Sequence, residues 1–149
     1  MRGFMVLPTF LAVLSVPSSV FAQRAPDPER DAVVRVITHF AERIQANDLS
    51  AIDSLFPRRG VHILTDSATT HGWAEFRDKY LKPELSRFQD PRYTHSAVEV
   101  VVRNNVAWAA FRRELSSGNG GAGPLRGRGT AVLEKIDGRW TIVHLHVSN

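Results

Sequence analysis

From Tyr93 onward the chain carries four long strand-like runs, separated by turn-forming residues. The runs are Tyr93 to Arg103, Val106 to Leu115, Arg126 to Ile136 and Arg139 to Val147. The first of them is rich in valine, a residue that favours strands. Asn104-Asn105 tolerates positive φ and reads as a tight turn. Asp137-Gly138 between the last two runs is a strong hairpin signal. Ser116 to Pro124 is rich in Gly and Ser, offers no core-forming side chain and reads as a mobile loop. The chain is therefore expected to fold around four long antiparallel strands.

What precedes them reads as helical. Asp27 can cap a helix that Pro28 opens at its first position. Val33, Ile37, Phe40, Ala41 and Ile44 recur at helical spacing, and this helix is expected to end near Ala46-Asn47. Asp48 can cap a second, shorter helix carrying Leu49, Ile52, Leu55 and Phe56, which Pro57 stops. Val61 to Thr65 is a short strand. A third helix is expected from about Gly72 to Phe88, with Trp73, Phe76 and Tyr80 on its apolar stripe and a kink or break at Pro83. The simplest packing curls the sheet around three N-terminal helices, giving an α+β cone with one open end.

The first 22 residues read as a secretory signal: Arg2, an apolar stretch from Phe4 to Val16, and Val20-Phe21-Ala22 with small residues where a signal peptidase cuts. Cleavage is expected between Ala22 and Gln23; an uncleaved membrane anchor is the alternative. The expected organisation is a signal peptide at 1–22, a leader at 23–28 and a domain at 29–149. An exported, periplasmic or secreted protein is implied, with no membrane segment after cleavage. Removing Arg2 and no acid leaves 18 basic against 15 acidic side chains, net +3. The basic residues are scattered, without the stripe interleaved with aromatics that nucleic-acid binding needs, so no nucleic-acid partner is expected. The chain has no cysteine, which excludes disulfides, thiolate metal sites and cysteine nucleophiles.

Three stretches carry a resemblance. They are helix 1 running into Ala46-Asn47-Asp48-Leu49 and on to Leu55-Phe56, then His71-Gly72-Trp73, and last Asp137-Gly138-Arg139-Trp140-Thr141-Ile142-Val143-His144-Leu145-His146-Val147-Ser148. In this order they resemble SnoaL-like domains of the nuclear transport factor 2-like superfamily, which includes ketosteroid isomerase. The final stretch is also similar to the last strand of the calcium/calmodulin-dependent kinase association domain. The resemblance implies a cone-shaped curved antiparallel sheet, a pocket between helices and sheet, and a homodimer formed through the sheet's outer face. It does not imply one activity.

Matching by the same motifs puts Phe40 where the isomerase has its tyrosine donor, and phenylalanine has no hydroxyl. The isomerase's catalytic aspartate falls near Leu64 to Asp66. The kinase domain's pocket arginines fall on Ala131 and Val147, which argues against its anionic-ligand site; Arg126 and Arg128 are possible substitutes from the same hairpin. His144 and His146 are expected to share a face with Trp140 and Ile142. Such a His-x-His pair can bind zinc if His62 or His95 joins it, but no carboxylate partner is visible. No metal and no cofactor are expected.

The pocket is expected to be apolar, lined by Phe40, Phe56, His62, Trp73, Phe76, Tyr80, Trp108 and Arg128, and suited to a small apolar molecule. Two functions follow. One is small-molecule binding with or without dimeric assembly. The other is acid–base chemistry on a small carbonyl or polyketide-like substrate, with His62 or Asp66 as base and Tyr80 as hydrogen-bond donor.

Overall fold

A computed structural model describes residues 27–120 and 123–149. The signal peptide at 1–22 and most of the leader lie outside the described residues. Helix α1 (Pro28–Gln45) starts as its cap residue predicts: the Asp27 carboxylate accepts the Arg30 backbone N–H at 3.1 Å. Just past its end, Asn47 takes a φ of 55°, the left-handed conformation common beyond a helix terminus. The expected second helix is one 3₁₀ turn, Ala51–Leu55, held by Asp48. Pro57 forces Phe56 into extended backbone, and the few residues between cap and stop are too short for an α-helix.

The next helix runs without a break through α2 (Trp73–Phe76), a π-helical turn (Arg77–Leu81) and α3 (Lys82–Leu85). Pro83 neither breaks nor ends it. Proline lacks the N–H that the Lys79 carbonyl needs. The ladder widens just ahead of it, where the Lys82 N–H bonds the Arg77 carbonyl, and so absorbs the mismatch. The described residues thus contain two substantial helices and a 3₁₀ turn, not three helices.

Six strands form one curved sheet in the order β2-β1-β6-β5-β4-β3. They are β1 (His62–Leu64), β2 (Thr69–Thr70), β3 (Pro91–Arg103), β4 (Val106–Ser117), β5 (Leu125–Ile136) and β6 (Arg139–Ser148). The four long strands pair antiparallel as expected, and both central residues of the Asp137-Gly138 turn have positive φ. The sheet as a whole is mixed, because β1 lies parallel to β6. A strand that reaches its neighbour through intervening helices, rather than a hairpin, is free to run parallel. Ser116 and Ser117, expected in the loop, continue β4 and pair with Arg92 and Pro91.

Helix α1 lies across the concave face and is tied to it at both ends. Gln45 accepts the Tyr93 backbone N–H at 2.6 Å and donates to the Pro91 carbonyl at 3.3 Å. Glu29 accepts from Lys135 Nζ at 2.6 Å and Trp140 Nε1 at 2.8 Å. Several inward positions of β4 and β5 are small: Ala107, Ala109, Gly129 and Ala131. A side chain on Gly129 would collide with the Phe111 ring. This leaves room for the bulk of Phe40, Ile37 and Phe111 between helix and sheet. Two bulges bend the sheet, one between Ser96 and Glu99, where Ala97 has φ of 49°, and one at Val143.

Candidate functional site

Most of the aromatics expected to line an apolar pocket pack into the core, although Phe56 and Trp73 also edge one surface groove and Phe76 and Tyr80 another. Phe40, Phe56, Trp73 and Phe76 are buried. Phe56 stacks on Trp73 at 5.1 Å between centroids, and Phe40 meets both edge-on at 6.0 and 5.7 Å. Aromatic side chains pack this way in cores. Trp108 is 47% exposed on the convex face, because Ala107 and Ala109 on either side of it point inward. Arg128 is also exposed and convex, beside inward Gly129.

The four histidines nearest β6 occupy the convex side or its edge. Val132 pairs with His144 and Leu133 with Ile142, so Val143 is an extra residue that reverses the alternation of β6. Trp140 and Ile142 point in before it, and Leu145 and Val147 point in after it. His144 and His146 therefore face out, opposite to Trp140 and Ile142 and not on their side. His62 pairs with His144 across the parallel ladder, and its ring meets that of His71 at 5.1 Å. Burial, with His146 and His62 nearby, holds the His144 pKa below the ordinary histidine value. Among the described residues no three His, Asp or Glu side chains are placed to hold a metal ion.

The concave side carries a different set of polar groups. Cross-strand pairing sets His95, Arg113 and Gly127 in one inward row. The Arg113 side chain is only 4% exposed, and its Nη2 donates to Glu84 Oε1, from α3, at 3.0 Å. Its guanidinium lies 5.8 Å from the centre of the Tyr93 ring. Its Nε is buried without a hydrogen-bond partner. Arg113 and Glu84 form one wall of a cleft of about 300 Å³ between the second helix and the sheet. Asp66, Tyr80, Phe76 and Val147 complete it, with Lys79 and Arg87 at its exposed edge. Asp66 sits in the β1–β2 turn, and its Oδ2 accepts the Asn149 N–H at 3.0 Å. Of the candidates named from the sequence, Asp66, Phe76 and Tyr80 meet here; His62, Trp108 and Arg128 are on the far side of the sheet.

Beneath Arg113 lies a polar pair that the aromatic core encloses. His95 Nδ1 is 3.1 Å from the Ile37 carbonyl, which only accepts, so Nδ1 carries the proton. Bare Nε2 then accepts the Tyr93 hydroxyl, 3.3 Å away. The imidazole tilts against Phe111 at 4.2 Å between centroids. Burial pushes the His95 pKa down to about 4, more than the Ile37 bond raises it. Burial likewise pushes Tyr93 up to about 12. Both are neutral near pH 7, so Arg113 is the charged member of this inward row. A second groove, open and about 900 Å³, runs from Asp53 and Arg58 past Trp73 to Asp137 and Arg139. It contains none of the buried unpaired nitrogens.

Sequence reasoning missed Arg113 and Glu84. It read the basic residues only as scattered surface charge. The signal was the alternation itself: Ala107, Ala109, Phe111, Arg113 and Leu115 share one parity.

The sequence profile of the SnoaL-like domain matches residues 33–149. No curated protein matches the chain. Solved structures share the fold at low identity. An NTF2-like protein of unknown function from Shewanella oneidensis is 21% identical, with a TM-score of 0.61, over 83% of this chain and 100% of that one. A candidate dehydratase of the NTF2-like family from Streptomyces avermitilis is 19% identical, with a TM-score of 0.69, over 83% and 97%. A candidate calcium/calmodulin-dependent protein kinase II association domain from Xanthomonas campestris is 20% identical, with a TM-score of 0.61, over 78% and 84%.

Proposed function

The chain belongs to the SnoaL-like domain family, and from that premise we propose that it is a small-molecule-binding domain whose site is the cleft between the second helix and the concave sheet. One observation carries the reading. Arg113 is a nearly buried cation on the cleft wall with a single carboxylate partner and an N–H left unsatisfied. Orphaned buried donors are costly, and each calls for a partner, of which a ligand is one. The cleft is more polar than the apolar pocket expected from the sequence, because the aromatic residues pack on one another. A fragment screen by NMR tests this. Ligands should shift the Val147 methyl and Tyr80 ring signals; a screen whose hits leave both unmoved defeats the proposal.

The same reading includes a homodimer through the convex face. Val101, Trp108, Val132, His144 and His62 stand in one cross-strand row there. Trp108 and Val106 are exposed apolar side chains in or beside it. Trp108→Glu should convert a dimer to a monomer in analytical ultracentrifugation; a wild-type protein that is monomeric at high concentration ends this part. Export is proposed as well: in its native host the mature chain should begin at Gln23, as N-terminal sequencing will show.

A second reading, an acid–base enzyme, is favoured by the meeting of Asp66 and Tyr80 in one cleft. The fold shared with the Streptomyces avermitilis candidate dehydratase agrees with it. His62, on the other face, drops out as its base, leaving Asp66. Unchanged turnover of an identified substrate in Asp66→Asn would eliminate this version.

A further inference from the structure

Resting on the reading of the cleft as a ligand site, we propose that its occupant is a small monocarboxylate with an apolar body, anchored by Arg113. Among the described residues only Nη2 of the three guanidinium nitrogens finds an acceptor, Glu84 Oε1. Nε has none and is buried, whereas Nη1 also lacks one and is not closed off in the same way. Nη1, on a side chain that lines the cleft, is therefore the donor left to a ligand, and an ionised oxygen acceptor bonds it more strongly than a neutral one. Arginine suits a carboxylate in particular, whose two oxygens match its fork.

The charge of the ligand follows from the rest of the wall. Glu84 and Asp66 line the same cleft, against Arg113 and Arg87, while Lys79 at its edge is already paired with Glu75 at 2.9 Å. The lining charges thus cancel, and one negative charge on a ligand rests on the donors that Arg113 has left. A second, as on a phosphate monoester or dicarboxylate, faces two fixed carboxylates. The body of the ligand follows from Phe76, Tyr80, Pro83 and Val147, with Phe76 and Tyr80 stacked at 6.4 Å between centroids. A volume of about 300 Å³ is at the small end for ligand pockets, enough for a single ring and its substituent.

Benzoate and its neutral isostere benzamide are the probes, titrated into the purified protein with Val147 and Tyr80 signals as readout. Benzoate should shift both, and benzamide should bind roughly tenfold more weakly, the scale of one charge-assisted hydrogen bond. Glu84→Gln should tighten benzoate binding, because it removes the carboxylate that competes for Arg113. Arg113→Met should weaken it by roughly tenfold or more. If Arg113→Met does not fold, Glu84→Gln still decides: weaker or unchanged benzoate binding in that variant overturns the proposal. Equal binding of benzoate and benzamide also overturns it but leaves the cleft as a ligand site. The same holds if neither probe binds while neutral fragments shift Val147 and Tyr80. Loss of the cleft reading itself has a separate signature, in which no compound moves those two signals. Benzoate shifts confined to Arg112, Arg126 and Arg128 on the convex face overturn both.

Discussion

Acidification should destabilise this protein through one buried side chain, His95. Its pKa is about 4 in the folded chain, against an ordinary value of 6.5. As pH falls through 6.5 the unfolded chain takes up a proton that the folded chain refuses. Stability is therefore lost between 6.5 and 4, and no more is lost through this group below that. The full shift corresponds to about 3 kcal/mol, and the part expressed between pH 7 and pH 5 to about 2 kcal/mol. This window separates His95 from the carboxylates. Glu29, Glu75 and Asp78 have lowered values when folded, so their contribution disappears only as pH falls through and below their ordinary values of 4.5, 4.5 and 3.8. Urea unfolding at pH 7 and pH 5 is the assay, on the wild type and on His95→Phe, whose ring fits among Phe40 and Phe111. The wild type should lose about 2 kcal/mol, and His95→Phe should lose much less although it starts lower, since the Tyr93 hydroxyl has lost its acceptor. His144, also lowered, contributes in the same direction in both proteins and cancels in the comparison. Equal pH slopes for the two proteins, or an NMR titration that places His95 near 6.5, would refute the reasoning.

The Glu84–Arg113 pair should respond asymmetrically in urea unfolding. Glu84→Ala leaves a nearly buried cation unpaired and should cost about 3 kcal/mol, whereas Arg113→Met leaves a more exposed carboxylate and should cost less. The double variant Glu84→Leu/Arg113→Leu should be about as stable as the wild type, within roughly 1 kcal/mol; a large loss indicates that the pair serves stability. Gly129→Val places a branched side chain against the Phe111 ring and should cost about 1–3 kcal/mol in thermal unfolding. Ala97→Gly relieves a left-handed φ of 49° and should raise stability by up to about 1 kcal/mol, with no change expected in the sheet's amide signals beyond the bulge.

Much of the fold was legible because its signals are local. Asp27-Pro28 starts α1 where a cap and a proline place it, and Asp137-Gly138 turns the last hairpin. Turn residues and the valine-rich run placed the long strands within a few residues. Two features had no local signal. The parallel pairing of β1 with β6 joins residues about 80 positions apart, and a three-residue strand carries no mark of its neighbour. The bulge at Val143 is a single extra residue inside an apolar run, yet it moves His144 and His146 from the face of Trp140 to the opposite one. For the site, residue type was a poor guide and parity a good one. Trp108 and Arg128 were named for their chemistry although their neighbours Ala107, Ala109 and Gly129 fix them outward. Arg113 was passed over although Phe111 and Leu115 fix it inward.

That parity also bears on why the cation is there. Five inward positions of β4 in sequence are Ala107, Ala109, Phe111, Arg113 and Leu115, four of them apolar. An apolar residue at 113 would complete the pattern and bury more surface with no desolvation of charge. Replacing a buried ion pair by well-packed apolar groups is often neutral or stabilising, so the pair with Glu84 is a weak reason for an arginine in this row. Nor does the core demand it, since Tyr93 and His95 satisfy each other and the Ile37 carbonyl without it. What the arginine adds is a fixed positive charge on a cleft wall, with donors left over after Glu84 is served. Polar burial without a stabilising return points to recognition. On the proposed reading, then, Arg113 carries the specificity of the concave cleft, and the convex face with its tryptophan and histidine row is the one proposed for assembly.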